Sequence, residues 1–392
     1  MRNVVIVSGM RTPIGDFLGS LKDVSAVELG TIALKAAIDS AGISASEIEE
    51  VVGGQIYQAG CKGNTARQVA LNAGCAVEAT AVTINQQCPS SMRATDIVCS
   101  QIMLGRIDIG AAVGYESMSN APYLLSKSRG GLKMGDTKLI DSLLNDALID
   151  AFNDEHMGMT AERLAERYHV TREEQDELAQ LSHSRAIQAM EEERFVNEVV
   201  PVHVETRKGT TIVSRDEHPN MNTSVEELSN LRPAFKKHGT VTAGNASSLN
   251  DGAAALILMA EEKAKELGLQ PLARIVSTAS AAVNPKLMGI GVVPAVQRAL
   301  KIADLSIDDI DYWEINEAFA AQFIAVNREL DLDMEKVNVN GSGISLGHPV
   351  GCTGARLIVT MLNEMQRRKA RYGCASLCAG GGPAAAIIVE SM

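Results

Sequence analysis

No long apolar run, no basic cluster and no framework of paired cysteines marks this sequence, and each absence removes a class of protein. The longest apolar stretch lies around Ala253 to Ala260, far short of the ~20 residues that span a bilayer as a helix. The formal charge is −12 and Lys and Arg are nowhere concentrated. Phosphate backbones and anionic lipid need such a concentration, so neither nucleic acid nor a membrane surface is expected as a partner. An anionic ligand would have to be met by a local patch. Seven cysteines, an odd number, are scattered through the 392 residues, and the opening MRNVVIVSGM lacks the pattern of a signal peptide. Reduced thiols and a cytoplasmic setting are expected. With 46% hydrophobic and 21% charged residues, the chain reads as globular and long enough for two or three substantial cores.

What is present is an α/β rhythm that occurs twice. Val4 to Val7 reads as a strand, followed by a helix with Val27, Leu34, Ile38 and Ala41 on one face, stopped by Gly42. A strand near Val51, the run Val82 to Asn85, a helix closing at Gly105 and a strand from Ile109 to Val113 come next. Near the C-terminus the order returns. Pro294 is expected to open a helix, SIDDIDYWEI parallels SASEIEEVVG, and Val337 to Asn340 parallels Val82 to Asn85 as a strand. Two similar halves follow, 1–268 and 269–392, whose loop-bearing strand ends can face one shared site. Residues 119–249 are more polar, with a charged helix from about Arg172 to Arg194. They read as an insertion in the first half that could serve as a lid, a ligand-binding arm or an oligomerisation arm.

Three reactive side chains sit in turns of small residues: Cys88 in INQQCPSSMRA, His348 in SLGHPVGCTGAR and Cys378 in SLCAGGGPA. Cys88 precedes a helix whose N-terminal dipole favours a thiolate, which makes it the candidate nucleophile; an inert turn cysteine is the alternative. His348, between Gly347 and Pro349, is a candidate acid/base partner. The same loop also fits GxSxG around Ser345, the nucleophile elbow of serine hydrolases. A zinc site from His348, Cys352, Cys374 and Cys378 lacks a tight Cys-x2-Cys knuckle. Cys75, Cys99, Cys352 and Cys374 read as core residues. Asn316 in EINEAFAAQF reads either as a helix cap or as a group that orients a water or an oxyanion.

Taken together, the motifs resemble the thiolase family over nearly the whole chain. The resemblance is carried by RTPIG from Arg11, NQQCPSSMRA around Cys88, YESMSNAPYLL from Tyr115, HMGMTAE from His156, GTVTAGNASSLNDGAA from Gly239, NEAF from Asn316, GHPVGCTGAR from Gly347 and LCAGGG from Leu377. It implies a five-layered α-β-α-β-α fold of two duplicated halves with a loop domain inserted in the first. It also implies ping-pong chemistry on 3-oxoacyl-CoA thioesters and a place in fatty acid metabolism such as β-oxidation. Carried over by motif, Cys88 takes the acyl group, His348 activates it, and Cys378 moves the proton at the α-carbon. One oxyanion site uses His348 and a water held by Asn316; the other uses the backbone N–H groups of Cys88 and Gly380.

For the substrate, the resemblance points to His156 and Ser247 beside the pantetheine arm, with Met157, Met288 and Phe319 lining the acyl pocket. Arg215, Lys208 and Lys236 are candidates for the CoA phosphates. The implied partners are CoA and acyl-CoA, as substrates rather than permanent cofactors, together with further copies of the chain as a dimer or tetramer; an accessory subunit is left open. No metal is expected. HMG before TAE is the form of short-chain, acetoacetyl-specific members. Pro89-Ser90-Ser91, Val292 and Pro383 depart from the family pattern and are expected near the acyl pocket, where they would suit a larger, branched or aromatic acyl group. A non-catalytic scaffold or lipid-transfer protein is the alternative of another class, although the catalytic positions are intact.

Overall fold

The computed structural model describes residues 1–207 and 209–392. Its main elements, in chain order, are strands β1 (Val4–Arg11), β2 (Glu50–Gly54), β3 (Thr80–Ile84), β4 (Ile109–Ser117), β5 (Asn250–Ala260), β6 (Ala273–Ala282), β7 (Tyr312–Ile315), β8 (Tyr372–Cys378) and β9 (Pro383–Ser391). The helices that matter here are α1 (Ala26–Ala41), α2 (Thr65–Asn72), α3 (Ser90–Met103), α4 (Met157–Tyr168), α5 (Arg172–Glu191), α6 (Val292–Ala303), α7 (Ala320–Leu330) and α8 (Thr353–Arg368).

The strands run in the order β7-β8-β9-β6-β1-β5-β4-β2-β3, so the two halves mirror each other about the β1–β6 junction. In each half, parallel strands (β2 with β3 and β4; β7 with β8) are followed by a last, antiparallel strand inserted beside the first. The junction itself is short: Val5 pairs Arg274 and Ile6 pairs Ala273. Ser44 and Ser306 each cap a single turn just before β2 and β7, so the likeness of SASEIEEVVG and SIDDIDYWEI is structural.

The core divides into layers. Leu29, Leu34 and Ile38 of α1 cover the outer face of the first half with Val51 and Val113, and Val296, Leu300 and Phe323 cover the outer face of the second with Trp313 and Ile315. Between the sheets, Met92, Val98 and Ile102 of α3 meet Leu357, Ile358 and Met361 of α8, with Leu256 and Ile387 from the flanking strands. A helix flanked by sheets on two sides needs apolar residues nearly all round, and α8 is buried along most of its length. This is the α-β-α-β-α order.

Three local expectations change. Val337 to Asn340 is not a strand but a bridge to Trp313, because Asn338 turns left-handed at φ 47°. The Asn338 amide itself completes the pairing, accepting from the N–H of Ile315 at 2.8 Å and donating to its C=O at 2.7 Å. Pro294 is the third residue of α6 rather than its opener, and the charged helix stops at Glu191, short of Arg194. The segment between β4 and β5 carries α4 and α5, which pack on α7 of the second half.

Candidate active site

The carboxyl ends of the parallel strands gather the reactive residues, as open α/β sheets generally do. β3 leads into the Cys88 turn, β7 into Asn316 and β8 into Cys378. The Cys88 turn is held tightly: Gln87 adopts φ 57°, with Ser90 Oγ donating to Gln87 O at 2.5 Å and accepting from Gln86 N–H at 2.9 Å. Such a non-glycine left-handed residue is costly and persists only where its surroundings over-determine it.

A cavity of about 390 Å³ opens there, lined by Cys88 from the first half and by His348, Cys378 and Gly380 from the second. His156, Met157, Ser247, Met288 and Phe319 line it too, so nine of the ten residues expected at the site share one wall-to-wall space. The tenth, Asn316, stands behind His348, its Nδ2 3.4 Å from Nε2, with Oδ1 lacking a partner among the described residues. It is not a helix cap. α7 begins four residues later, its cap is Phe319, and no side chain bonds there.

His348 is oriented from both ends. Its N–H donates to Asn250 Oδ1 at 2.8 Å, and Nδ1 lies 2.6 Å from Thr353 Oγ1. The Thr353 hydroxyl donates to Pro349 O at 3.0 Å, so the hydrogen-bond network assigns the proton to Nδ1 and leaves Nε2 as the acceptor. Gly347, at φ +100°, makes the turn possible. Burial, with the charge of Arg356, pushes the imidazole down to about 3, so it rests neutral. Burial pushes the Cys88 thiol up to about 12, against the pull of its own N–H and that of Gly380. Cys378 is raised by burial and by the neighbouring Cys88.

The resting pair is therefore a thiol beside a neutral base rather than a thiolate–imidazolium pair. Alkylation of Cys88 by iodoacetamide, followed by peptide mass spectrometry, is expected to keep accelerating about tenfold per pH unit beyond the ordinary thiol value of ~8.5. A plateau below pH 8 would show the ion pair instead.

His156 is also fixed in one form. Nδ1 accepts from Gly158 N–H at 3.0 Å and burial lowers the imidazole's pKa, so Nε2 carries the hydrogen-bond donor. Its ring stacks on Phe235 at 4.6 Å, and Phe235 meets Phe319 edge-on. Met118, Leu148, Leu249 and Val350 complete an apolar wall.

Several expectations do not hold. Ser345 is fully buried in a short helix against Ser182 at 2.8 Å and does not reach the cavity, which leaves no hydrolase elbow. The departures Pro89, Ser90, Ser91, Val292 and Pro383 are absent from the cavity lining. Ser91 instead bridges the two central helices, donating to Cys352 O at 3.1 Å and accepting from Ala355 N–H at 2.8 Å. Arg215 borders a separate cleft with Phe195 and Asp216. Lys236 pairs with Glu166 and adjoins Phe235 of the cavity wall, while Lys208 lies outside the described residues. Cys75, Cys99, Cys352 and Cys374 are core residues, and among the described residues no cluster of three or more His, Cys, Asp or Glu could hold a metal. Asn250 and Thr353 were missed; Thr353 lies five residues past His348, where α8 begins.

Fold and site together define a duplicated α/β protein with two thiols and a histidine in a cavity where its halves meet. Family models described as "Thiolase, N-terminal domain" and "Thiolase, C-terminal domain" match residues 4–262 and 269–391, and the chain belongs to the thiolase family. It is 50% identical over 393 residues to an acetyl-CoA acetyltransferase of Escherichia coli, covering 100% of both chains. The solved acetyl-CoA acetyltransferase of Syntrophomonas wolfei superposes with a TM-score of 0.98 at 46% identity, covering 100% of both. Human mitochondrial 3-ketoacyl-CoA thiolase in complex with CoA gives 0.96 at 41% identity, covering 100% of this chain and 98% of that one.

Proposed function

We propose that this acyltransferase makes and cleaves acetoacetyl-CoA through an acetyl group carried on Cys88. In the condensing direction, His348 takes the thiol proton as Cys88 sulfur bonds to the acetyl carbonyl carbon. The C–S bond to CoA breaks, and the departing thiolate takes the proton back from the imidazolium. Cys378, as its thiolate, then removes the α-proton of a second acetyl-CoA, whose carbon attacks the acetyl-cysteine and releases the Cys88 thiolate; the proton on Cys378 passes to that thiolate, which restores both sulfurs. A water held by Asn316 and by the lone pair of His348 Nε2 donates to the enolate oxygen; the N–H groups of Cys88 and Gly380 hold the tetrahedral oxyanion. Each such donor contributes roughly 3 kcal/mol when charge develops on its partner.

The observation that carries this reading is the single cavity shared by Cys88, His348, Cys378 and Gly380. His156 and Ser247 beside the pantetheine arm, and Met157, Met288 and Phe319 around the acyl group, belong to the same reading, as does the division into halves at 1–268 and 269–392. So do a cytoplasmic setting and a dimer or tetramer; the exposed Tyr123, Leu132, Met134 and Leu139 on the insertion support an oligomerisation arm. CoA as substrate is supported by the CoA complex of the human relative.

Acetoacetyl-CoA is favoured over larger acyl groups because bulky thioethers occupy the wall and the departing residues do not. Thiolysis across a series of 3-oxoacyl-CoAs is expected to give the highest kcat/KM for acetoacetyl-CoA, with ~1–3 kcal/mol lost per added methylene. A clear preference for a long or aromatic acyl chain would overturn the assignment.

A further inference from the structure

Glu116, in the motif that begins at Tyr115, has no part in the chemistry above, yet its carboxylate is fully buried on β4 among groups that touch the site. Burial pushes its carboxyl up to about 7, the N–H groups of Ile56, Tyr57 and Gly351 pull the other way by favouring the charged form, and Asp251 on the adjacent strand adds a smaller push upward. Oε2 accepts from Ile56 at 3.0 Å and from Gly351 at 3.0 Å, while Oε1 accepts from Tyr57 at 3.1 Å. Ile56 and Tyr57 follow β2 in the first half; Gly351 lies three residues beyond His348 in the second. The Tyr57 hydroxyl extends the chain by donating to Leu143 O at 2.8 Å, beside the cavity wall at Leu144.

We propose that Glu116 is a positioning residue: it latches the 348–351 loop of the second half onto the first half and so keeps His348 in register with Cys88. Thr353 orients the imidazole from its own half, and Asn250, on β5 of the first half, holds the backbone N–H of His348; Glu116 adds a second hold across the halves, at Gly351, and so fixes the far end of the loop relative to the thiol. A carboxylate suits the task because it is acceptor-only, whereas an amide of the same shape turns N–H groups toward at least one of the N–H groups it must receive. Space is equally tight at the other side of the latch, since a Cβ on Gly351 would stand 2.6 Å from Oε2.

The inference rests on His348 being the base, and a double-mutant cycle separates the two ideas. The readout is the single-turnover rate at which acetyl-CoA acylates Cys88, for the wild type, Glu116→Gln, His348→Ala and the double variant. Glu116→Gln is expected to slow acylation about 30-fold in the wild-type background and less than about threefold when His348 is already alanine, because a group acting through the imidazole has nothing left to position. Gly351→Ala, which pushes the loop off an intact carboxylate, should behave the same way, and it carries the cycle if Glu116→Gln fails to fold. Losses that multiply would make Glu116 a general scaffold residue and overturn the latch while leaving the role of His348 standing. A His348→Ala enzyme at wild-type rate would overturn both.

Discussion

Cys378→Ser should still take up an acetyl group from acetyl-CoA at close to the wild-type rate while losing C–C bond formation and cleavage by about 10³-fold, the scale of a lost general base. In the proposed mechanism acylation uses Cys88, His348 and the N–H donors, and leaves Cys378 idle. The second half-reaction needs a group that can hold the α-proton, and a serine alkoxide is far harder to form than a thiolate. Cys378 is itself raised by burial and by the adjacent Cys88, so the wild-type thiolate is a strong base when it forms, at the cost of being rare. Parallel measurement of acyl-enzyme formation and of overall thiolysis checks this. Equal losses in both would leave Cys378 without a distinct role at the α-carbon.

His348→Ala should slow both half-reactions, by about 10³-fold in overall turnover, or ~4 kcal/mol of barrier. The imidazole is neutral with Nε2 unprotonated, so it can take the Cys88 proton in the first step and, once protonated or beside a water, face the enolate oxygen in the second. Nothing else that lines the cavity combines that lone pair with a place beside Cys88: His156 commits its Nδ1 to Gly158. Rapid-quench measurement of acylation, set against steady-state turnover, reads the two steps separately. A loss confined to the condensation step would assign thiol activation to another group.

Much of this was legible where a feature is local in the chain. Cys88 and Cys378 each follow a strand, all three reactive residues sit in turns of small residues, and a helix follows Cys88 and His348; the doubled order of strands and helices foretells the mirrored sheet. Asn316 was readable only as a choice, since an Asn before a helix suits a cap as well as a site. The space of four residues before α7 and the unbonded Phe319 cap decide against the former. Asn338 misled for a different reason: VNVN alternates like a strand, but its amide replaces the backbone pairing it breaks.

What stayed hidden are contacts between segments far apart in sequence. Ser91 meets Ala355 across 264 positions and Glu116 meets Gly351 across 235. Neither pairing leaves a periodicity or spacing to read, and Ser91, three residues after Cys88, is therefore expected near the acyl pocket when it belongs to the seam between α3 and α8. The cations that meet the CoA phosphates are hidden likewise, since proximity in sequence put Arg215 forward and the fold turns it to another cleft.

The central claim, that the acyl group travels on Cys88, is tested most directly by incubating the wild type and Cys378→Ser with acetyl-CoA, quenching in acid and mapping the added 42 Da by peptide mass spectrometry, ~42 Da being the mass an acetyl group adds when it replaces the thiol proton. The acetyl group is expected on the peptide containing Cys88 in both proteins, at higher occupancy in the variant, which cannot pass it on. Acetyl on Cys378 of the wild type would exchange the two thiols' roles, and acetyl on neither cysteine would contradict an acyl-cysteine enzyme.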